Sequence, residues 1–521
     1  MEKNFKEKLE EQEIIKKIEN SQTLEKGKQG VFSVLYGRTI VVFLLLLIQI
    51  LIMILPLITA PYIARTLGDE KLGIFSYTYS VAAYFALFAI LGLNNYGNRT
   101  VAKIRANRKQ LSTTFWEIFS MQASLGIVVC IVYILYVVFL CQENKAIAFL
   151  QLGYVIADAF NINWLFFGLE KFKLTVTRNI IIKICSVLAI FLFVKSPQDI
   201  YLYTVIMMGA SVLSQAVVLW PFVKKEVDWV KPHFKGIIKH IKPNLVLFIP
   251  VIAVSIYKVM DKIMLGNLST MSQVAYYEYG EKIITISVSV ITALGTVMLP
   301  QISFLIANGK KEKSFEYIQK SMSISFMASC AMAFGIAAIA HDFSVWFYGA
   351  DFAASGSVMK GLAVTTIFIS LANVVRTQYL IPTGKDKIYI ISVIMGAVIN
   401  LVMNGIFIPK YQANGAVIGT VCAEFVVMIY QMLAVRKELP LKQYFREGSP
   451  FLFVGSIMFL VVKLINCLEI SQIFLKICLE ILSGACVYIA VAMFYLKRKN
   501  KKLYISLIEI IPFDKVRRIL S

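Results

Sequence analysis

Charge is scarce in this sequence: 16% of its 521 residues are Asp, Glu, Lys or Arg, where soluble domains carry about 25%. Acidic residues are the scarcer kind, 31 against 53 basic ones, which leaves a formal charge of +22. A glycan polymerase or lipid-dependent glycosyltransferase needs paired carboxylates or an acidic metal motif in a roomy loop. Asp69-Glu70 is the one adjacent acidic pair in the predicted outer connections, and that speaks against an enzyme. Histidine occurs three times and does not cluster with cysteine. None of the eight cysteines (Cys130, Cys141, Cys185, Cys330, Cys422, Cys467, Cys478, Cys486) belongs to a Cys-x-x-Cys pair. Neither a zinc site nor a disulfide framework is indicated, and the cysteines read as small apolar packing residues. The first thirty residues have no apolar core and no small-residue cleavage site, so no cleavable leader is expected. Also missing is a basic patch interleaved with aromatics, the footprint of nucleic-acid binding; Lys and Arg lie between apolar runs instead.

Those apolar runs dominate what is there. Apolar residues make up 58% of the chain, and the mean hydropathy is +0.72. Runs of some twenty residues recur with almost no charge, the length a helix needs to cross a bilayer core at about 1.5 Å per residue. The reading is an all-α membrane protein of about fourteen transmembrane helices, near 39–64, 74–97, 115–140, 146–168, 174–194, 199–223, 242–264, 275–304, 320–345, 357–380, 388–408, 413–434, 450–468 and 472–496. Alternate connections are basic. One group holds Arg99, Lys103, Arg105, Arg108 and Lys109, a later one Lys224, Lys225, Lys231, Lys235, Lys239 and Lys242. The intervening connections hold about one basic residue each, such as Lys145, Lys195, Lys410 and Lys463. The positive-inside rule then puts both ends of the chain in the cytoplasm.

Helices one and seven repeat a pattern. Leu55-Pro56 precedes Arg65-Thr66-Leu67-Gly68, and Ile249-Pro250 precedes Met264-Leu265-Gly266; each Leu-Gly is expected to stop its helix, and each is followed by an aromatic entry to the next. A six-helix offset preserves direction, so the repeat is parallel, as in transporters that hold substrate between two halves. The resulting map has a segment over 1–38, a first lobe over 39–223 and a linker over 224–241. A second lobe over 242–437, two extra helices within 448–496 and a basic tail over 497–521 follow.

Three stretches carry a family resemblance: 54–105, with Leu-Pro…Pro-Tyr-Ile-Ala-Arg-x-Leu-Gly; 161–179; and 244–282, with Asp-Lys-x-Met-Leu-Gly. They resemble bacterial oligosaccharide flippases of the polysaccharide transporter branch of the multidrug/oligosaccharidyl-lipid/polysaccharide exporter superfamily. The resemblance implies two six-helix lobes around a central cavity, with two helices added. It implies a multi-pass protein of the bacterial inner membrane. The cargo would be an undecaprenyl-(pyro)phosphate-linked oligosaccharide, moved from the cytoplasmic to the outer leaflet by alternating access for cell-surface polysaccharide assembly. Its expected partners are that lipid, membrane lipids and glycan polymerase or assembly proteins. No cofactor is expected, and the coupling ion, H+ or Na+, stays open. A drug/cation antiporter of the same superfamily and a lipid II flippase for peptidoglycan are the rival readings.

Ionisable groups at membrane depth are costly, about 2.5–3.5 kcal/mol each on insertion scales, so each needs a partner or a purpose. Helical spacing puts Lys258 near Asp261 and Lys262, and puts Glu278 beside Glu281 and Lys282 on the next helix. Lys258 and Lys282 are expected to meet phosphate or glycan, and Asp261, Glu278 or Glu281 to gate or couple. The same charges would equally serve as an interhelical ion-pair network. Arg65, ahead of Asp69 and Glu70, is either an outer gate or an interfacial anchor. Asn94, Asn95 and Arg99 are either a polar ladder at the cytoplasmic entrance or a topological anchor. Asp158 and Glu424, near the centres of their helices, are proton carriers or satisfied buried carboxyls. Lys183 is a further substrate candidate. Arg376 is expected to snorkel, and Asn400 and Asn404 to bond between helices.

Overall fold

A computed structural model describes Leu55, residues 57–468 and residues 470–510, with the backbone alone for Pro250, Tyr257, Lys258, Lys502, Ser506, Leu507, Glu509 and Ile510. Every regular element among the described residues is helical. In chain order we label α1 Leu57–Ile104, α2 Arg108–Leu140, α3 Lys145–Gly168, α4 Phe172–Phe193 and α5 Pro197–Glu226. Next come α6 Ile241–Leu268, α7 Met271–Ala307 and α8 Lys311–Tyr348. The pair α9 Ala350–Leu362 and α10 Thr365–Leu380 meets at a 43° bend. After these come α11 Asp386–Tyr411, α12 Ala413–Val435, α13 Leu441–Asn466, α14 Ile473–Lys499 and the short α15 Lys501–Ile510.

Among the described residues eleven helices are long and apolar enough to cross a membrane, or twelve with the bent pair as one span. The predicted count of about fourteen is not reached by that measure. The predicted span over 39–64 lies mostly outside the described residues, and the 28-residue α6 falls where the span over 242–264 is expected. At 48 residues α1 would be about 72 Å long if straight. It is broken instead: Gly68 has φ +77°, and Leu91 has φ +49°. The first break is the expected Leu-Gly stop. Its expected counterpart is not a stop, because α6 runs on past Gly266 to Leu268. Gly266 has another reason to be glycine, since a Cβ there would lie 2.1 Å from the Tyr77 ring.

Helices α1 to α5 pack on one another, as do α6 to α12, and α13 and α14 pair against α8. The hairpin of α11 and α12 is the closest pairing; a Cβ on Gly415 would come 2.3 Å from the Phe407 carbonyl oxygen, so only glycine permits that approach. Polar bonds dock the trailing pair. Asn466 donates to Asp342 and Glu480, each at 2.9 Å, and Lys476 pairs with Asp342 at 2.8 Å. The helix α15 buries Leu503, Tyr504 and Ile508 in the same core. Large apolar side chains on the outer faces, such as Phe139, Phe453 and Leu464, are exposed, as a hydrocarbon surround allows.

At the basic end of the bundle, Glu438 in the α12–α13 connection accepts bonds from Lys385 and Tyr379. The Lys385 ammonium, then the Tyr379 hydroxyl, hold its carboxyl below the usual carboxylate range. A depressed folded pKa gives stability that is present above the unfolded value, about 4.3, and lost as pH falls through the folded one. Thermal unfolding of the purified protein should therefore show wild type above Glu438→Gln at neutral pH, with the gap closing below about pH 4. A gap independent of pH would refute the assignment.

Candidate functional site

The first turns of α7 read Tyr276-Tyr277-Glu278-Tyr279 and then Glu281-Lys282. Residues four apart share a helix face, so Glu278 and Lys282 point one way while Tyr277 and Glu281 point about a quarter turn round. Each face meets a cavity. On the first side a cavity of about 460 Å³ is lined by Glu278, Tyr279 and Lys282, by Asn179 and Lys183 of α4, and by Tyr79, Tyr154 and Tyr203. On the second side a cavity of about 270 Å³ is lined by Glu281, by Asn373 and Arg376 of α10, and by Thr420, Glu424 and Gln431 of α12. The helix α7 is thus the wall between two chambers, each with polar and charged groups set in a largely apolar lining.

Lys262 of α6 ties that wall down. Its ammonium lies 2.8 Å from Glu278 and 3.1 Å from Glu281, and Lys282 lies 3.4 Å from Glu278. Two cations and two carboxylates form one neutral set, so no single charge is left bare. The Lys282 ammonium also sits 4.1 Å over the Tyr279 ring. Asp261, one residue earlier, points elsewhere. It is 1% exposed and accepts from the Tyr277 hydroxyl at 2.6 Å, the Thr420 hydroxyl at 2.8 Å and the Asn404 amide at 2.5 Å. Among the described side chains no cation pairs with it.

Contacts between α1 and the second group of helices occur at both ends. Away from the basic end, the Tyr276 hydroxyl donates to Asp69, and the Tyr77 hydroxyl donates to Asn267 at 3.0 Å. A Cβ on Gly73 would fall 1.8 Å from the Met271 carbonyl oxygen. At the basic end Gly92 abuts Asn244 and Phe248. Tyr96 meets His240 Nδ1 at 2.6 Å, and Glu117 of α2 meets His240 at 3.3 Å and Lys239 at 2.6 Å. Burial pushes the His240 imidazole below its ordinary pKa, against the opposing pull of Glu117.

The structure brings Lys183, Glu278 and Lys282 to one chamber and puts Glu281 and Glu424 in the other. The Lys258 side chain lies outside the described residues. Arg65 is exposed and donates to the Trp346 carbonyl of α8. Asp158 is half-buried beside Asn161 at 3.3 Å and lines neither chamber. Asn94, Asn95 and Arg99 are exposed and line neither chamber; the break at Leu91 and Gly92 reorients the last turns of α1, so the expected ladder does not continue the upper face. Arg376 does not snorkel as expected. It lines the second chamber in a π-helical turn, 5.2 Å from the Tyr389 ring. Sequence reasoning also misses Arg178, which reads as a loop cation but is 5% exposed and bonded to Asn163 and Asn179. The asparagine beside it in sequence is the available signal.

The profile of the family described as polysaccharide biosynthesis protein matches residues 41–306, just over half of the chain. The "Putative O-antigen transporter" of Shigella dysenteriae is 22% identical over 387 residues, covering 73% of this chain and 96% of that protein. The lipid II flippase MurJ of Bacillus subtilis is 23% identical over 36% of this chain and 35% of its own length. Among solved structures, the lipid II flippase MurJ in its inward closed conformation superposes with a TM-score of 0.70 over 87% of this chain and 99% of that one, at 15% identity. An inward-facing multidrug resistance MATE family transporter gives 0.56 over 74% and 94%, at 16% identity. Both likenesses concern the fold.

Breaking a buried ion pair from one side costs about 3–5 kcal/mol. Lys262→Met should therefore lower the melting temperature of the purified protein in detergent by several degrees. Adding Glu281→Gln should recover much of the loss, since it removes the excess negative charge and leaves Lys282 paired with Glu278. Unfolding curves that leave Lys262→Met equal to wild type would show that the network is not sealed from water.

Proposed function

The chain belongs to the polysaccharide biosynthesis protein family, as a polysaccharide flippase of the multidrug/oligosaccharidyl-lipid/polysaccharide exporter superfamily, and on that premise we propose its cargo and mechanism. The cargo is an undecaprenyl-linked oligosaccharide, carried from the cytoplasmic to the outer leaflet of the bacterial inner membrane. The observation that carries this reading is the first chamber: Lys183 and Lys282 supply cations for a (pyro)phosphate, while tyrosines and Asn179 offer hydroxyl and amide partners to sugars. Bare hydrocarbon solvates neither group.

The lobes over 39–223 and 242–437 rock about the α1–α7 seam, and the basic end with both termini faces the cytoplasm. Asp261, set among hydroxyls and amides, is the group we assign to the coupling ion, H+ or Na+, and Glu424 lines the chamber that leads to it through Thr420. Glycan polymerase or assembly proteins take the product on. Lipid II is a weaker reading of the cargo: the O-antigen relative matches along 96% of its length and the lipid II flippase along 35%.

Depletion of the protein should cause undecaprenyl-linked oligosaccharide to accumulate on the cytoplasmic side, measured by lipid extraction. Accumulation of lipid II alone would sink the proposal. Lys183→Ala and Lys282→Ala should each cut surface polysaccharide about tenfold, the equivalent of one charge-assisted hydrogen bond of about 1.5 kcal/mol, at unchanged membrane abundance. Equal loss of abundance would instead mark these lysines as structural. Asp261→Asn should remove whatever dependence on pH or sodium the wild-type output shows.

A further inference from the structure

A second surface of the bundle joins α1, α2 and α6, away from both chambers. Near the end opposite the basic one it opens into a cleft of about 1000 Å³, lined by Glu70, Tyr77 and Tyr84 of α1, Tyr136 and Gln142 at the end of α2, and Asn267 of α6. Among the described residues no lysine or arginine lines it. Toward the basic end the same three helices enclose a groove of about 720 Å³, lined by Phe88, Leu125, Val128, Val132, Ile241 and Leu245, with Ser124 the polar residue in its lining. Phe85 belongs to both walls.

The polarity runs in the same order on every helix. Along α1 the polar lining precedes the apolar, from Glu70 to Leu91; along α2, which runs back, apolar Met121 to Val132 precedes Tyr136 and Gln142; along α6, Ile241 and Leu245 precede Asn267. Three independent segments thus agree on one amphiphile with its head away from the basic end. Tyrosine faces with amide and carboxylate partners suit a hydroxyl-rich head, and the missing cations make the cleft a poor resting place for phosphate.

On α2 the apolar lining runs from Met121 to Val132, eleven residues or about 16 Å of helix, which matches one leaflet of hydrocarbon at about 15 Å. The groove takes a lipid tail, and the hydroxyl-matched cleft above it selects the head.

We propose that this seam is the lateral release site for the flipped product, with its glycan in the polar cleft and its polyprenyl tail in the apolar groove. The inference rests on the flippase reading above and adds a route that the two chambers do not supply. Low affinity for the phosphate favours departure into the bilayer.

The test uses the full-length protein in its own cells. A benzophenone photo-crosslinking side chain is placed at the position of Tyr84, at that of Val128, or at the lipid-facing position of Phe453. The first two should capture the same polyprenyl-linked glycan, through its sugar and its tail respectively, and the third should capture phospholipid. Capture of phospholipid alone at Val128 overturns the proposal. Val128→Trp, which fills the groove, should reduce surface polysaccharide several-fold while Phe453→Trp does not; equal output from the two also overturns it. If Val128→Trp loses abundance, the crosslinks still decide. Depletion and lipid extraction in the same cells keep the two readings apart, because cargo that accumulates without being captured at the seam rejects the seam alone.

Discussion

A charge sealed from water inside a bundle must be neutralised within a few ångströms, and the placement of α6 against α7 follows from that constraint. Lys262 answers Glu278 and Glu281 together, and Lys282 returns to Glu278, so the four groups balance. On the other face of α6, Asp261 is answered by a tyrosine, a threonine and an asparagine from three helices. Losing one member of the ion set costs about 3–5 kcal/mol, whereas an ordinary hydrogen bond contributes about 0.5–1.5 kcal/mol net. The seam between α1 and this hairpin carries hydrogen bonds from Tyr276 to the Asp69 carboxylate, about 1.5–3 kcal/mol with a charged acceptor, and from Tyr77 to Asn267, of the ordinary kind.

The same network gives the two sides of α7 different chemistry. Lys183, Lys282 and Glu278 line the first chamber. Glu281, Glu424 and Arg376 line the second. Lys262 touches the carboxylate of each. On the flippase reading, the ion group Asp261 and the cargo lysine Lys282 meet on α7 through adjacent residues, Tyr277, which bonds Asp261, and Glu278, which pairs with Lys282.

Much of this arrangement is legible in the amino-acid sequence. Hydropathy places the helices, and the i, i+4 rule by itself pairs Glu278 with Lys282. Periodicity tells which side chains share a face; it does not tell which neighbour that face meets. Asp261 and Lys262 are adjacent along the chain, which suggests a common role, yet Lys262 pairs with carboxylates of α7 while Asp261 gathers hydroxyl and amide donors from α7, α11 and α12. Arg178 and Arg376 look like edge cations when depth is counted from helix ends, but the fold buries one and turns the other into a chamber. A ladder of Asn94, Asn95 and Arg99 presupposes an unbroken helix. The positive φ at Leu91, which no hydropathy count reveals, ends that helix early.

The two breaks in α1 bear on how the bundle moves. Between Gly68 and Leu91 lies a straight segment, Asp69 to Ile90, about 33 Å long. Its first turns close against α7 through Asp69 and Gly73, while the turn just past its end meets α6 through Gly92 and Tyr96. Both ends are engaged in this structure, so neither side of the seam is open along α1. Because each contact pairs α1 with the α6–α7 body, tilting one rigid segment against one rigid hairpin opens one end and tightens the other. On the flippase reading the hinges are Gly68 and Leu91-Gly92, where the chain has already left helical geometry, and a tilt there breaks no buried ion pair. That separation of soft hinges from a hard ionic core is what an alternating-access carrier requires.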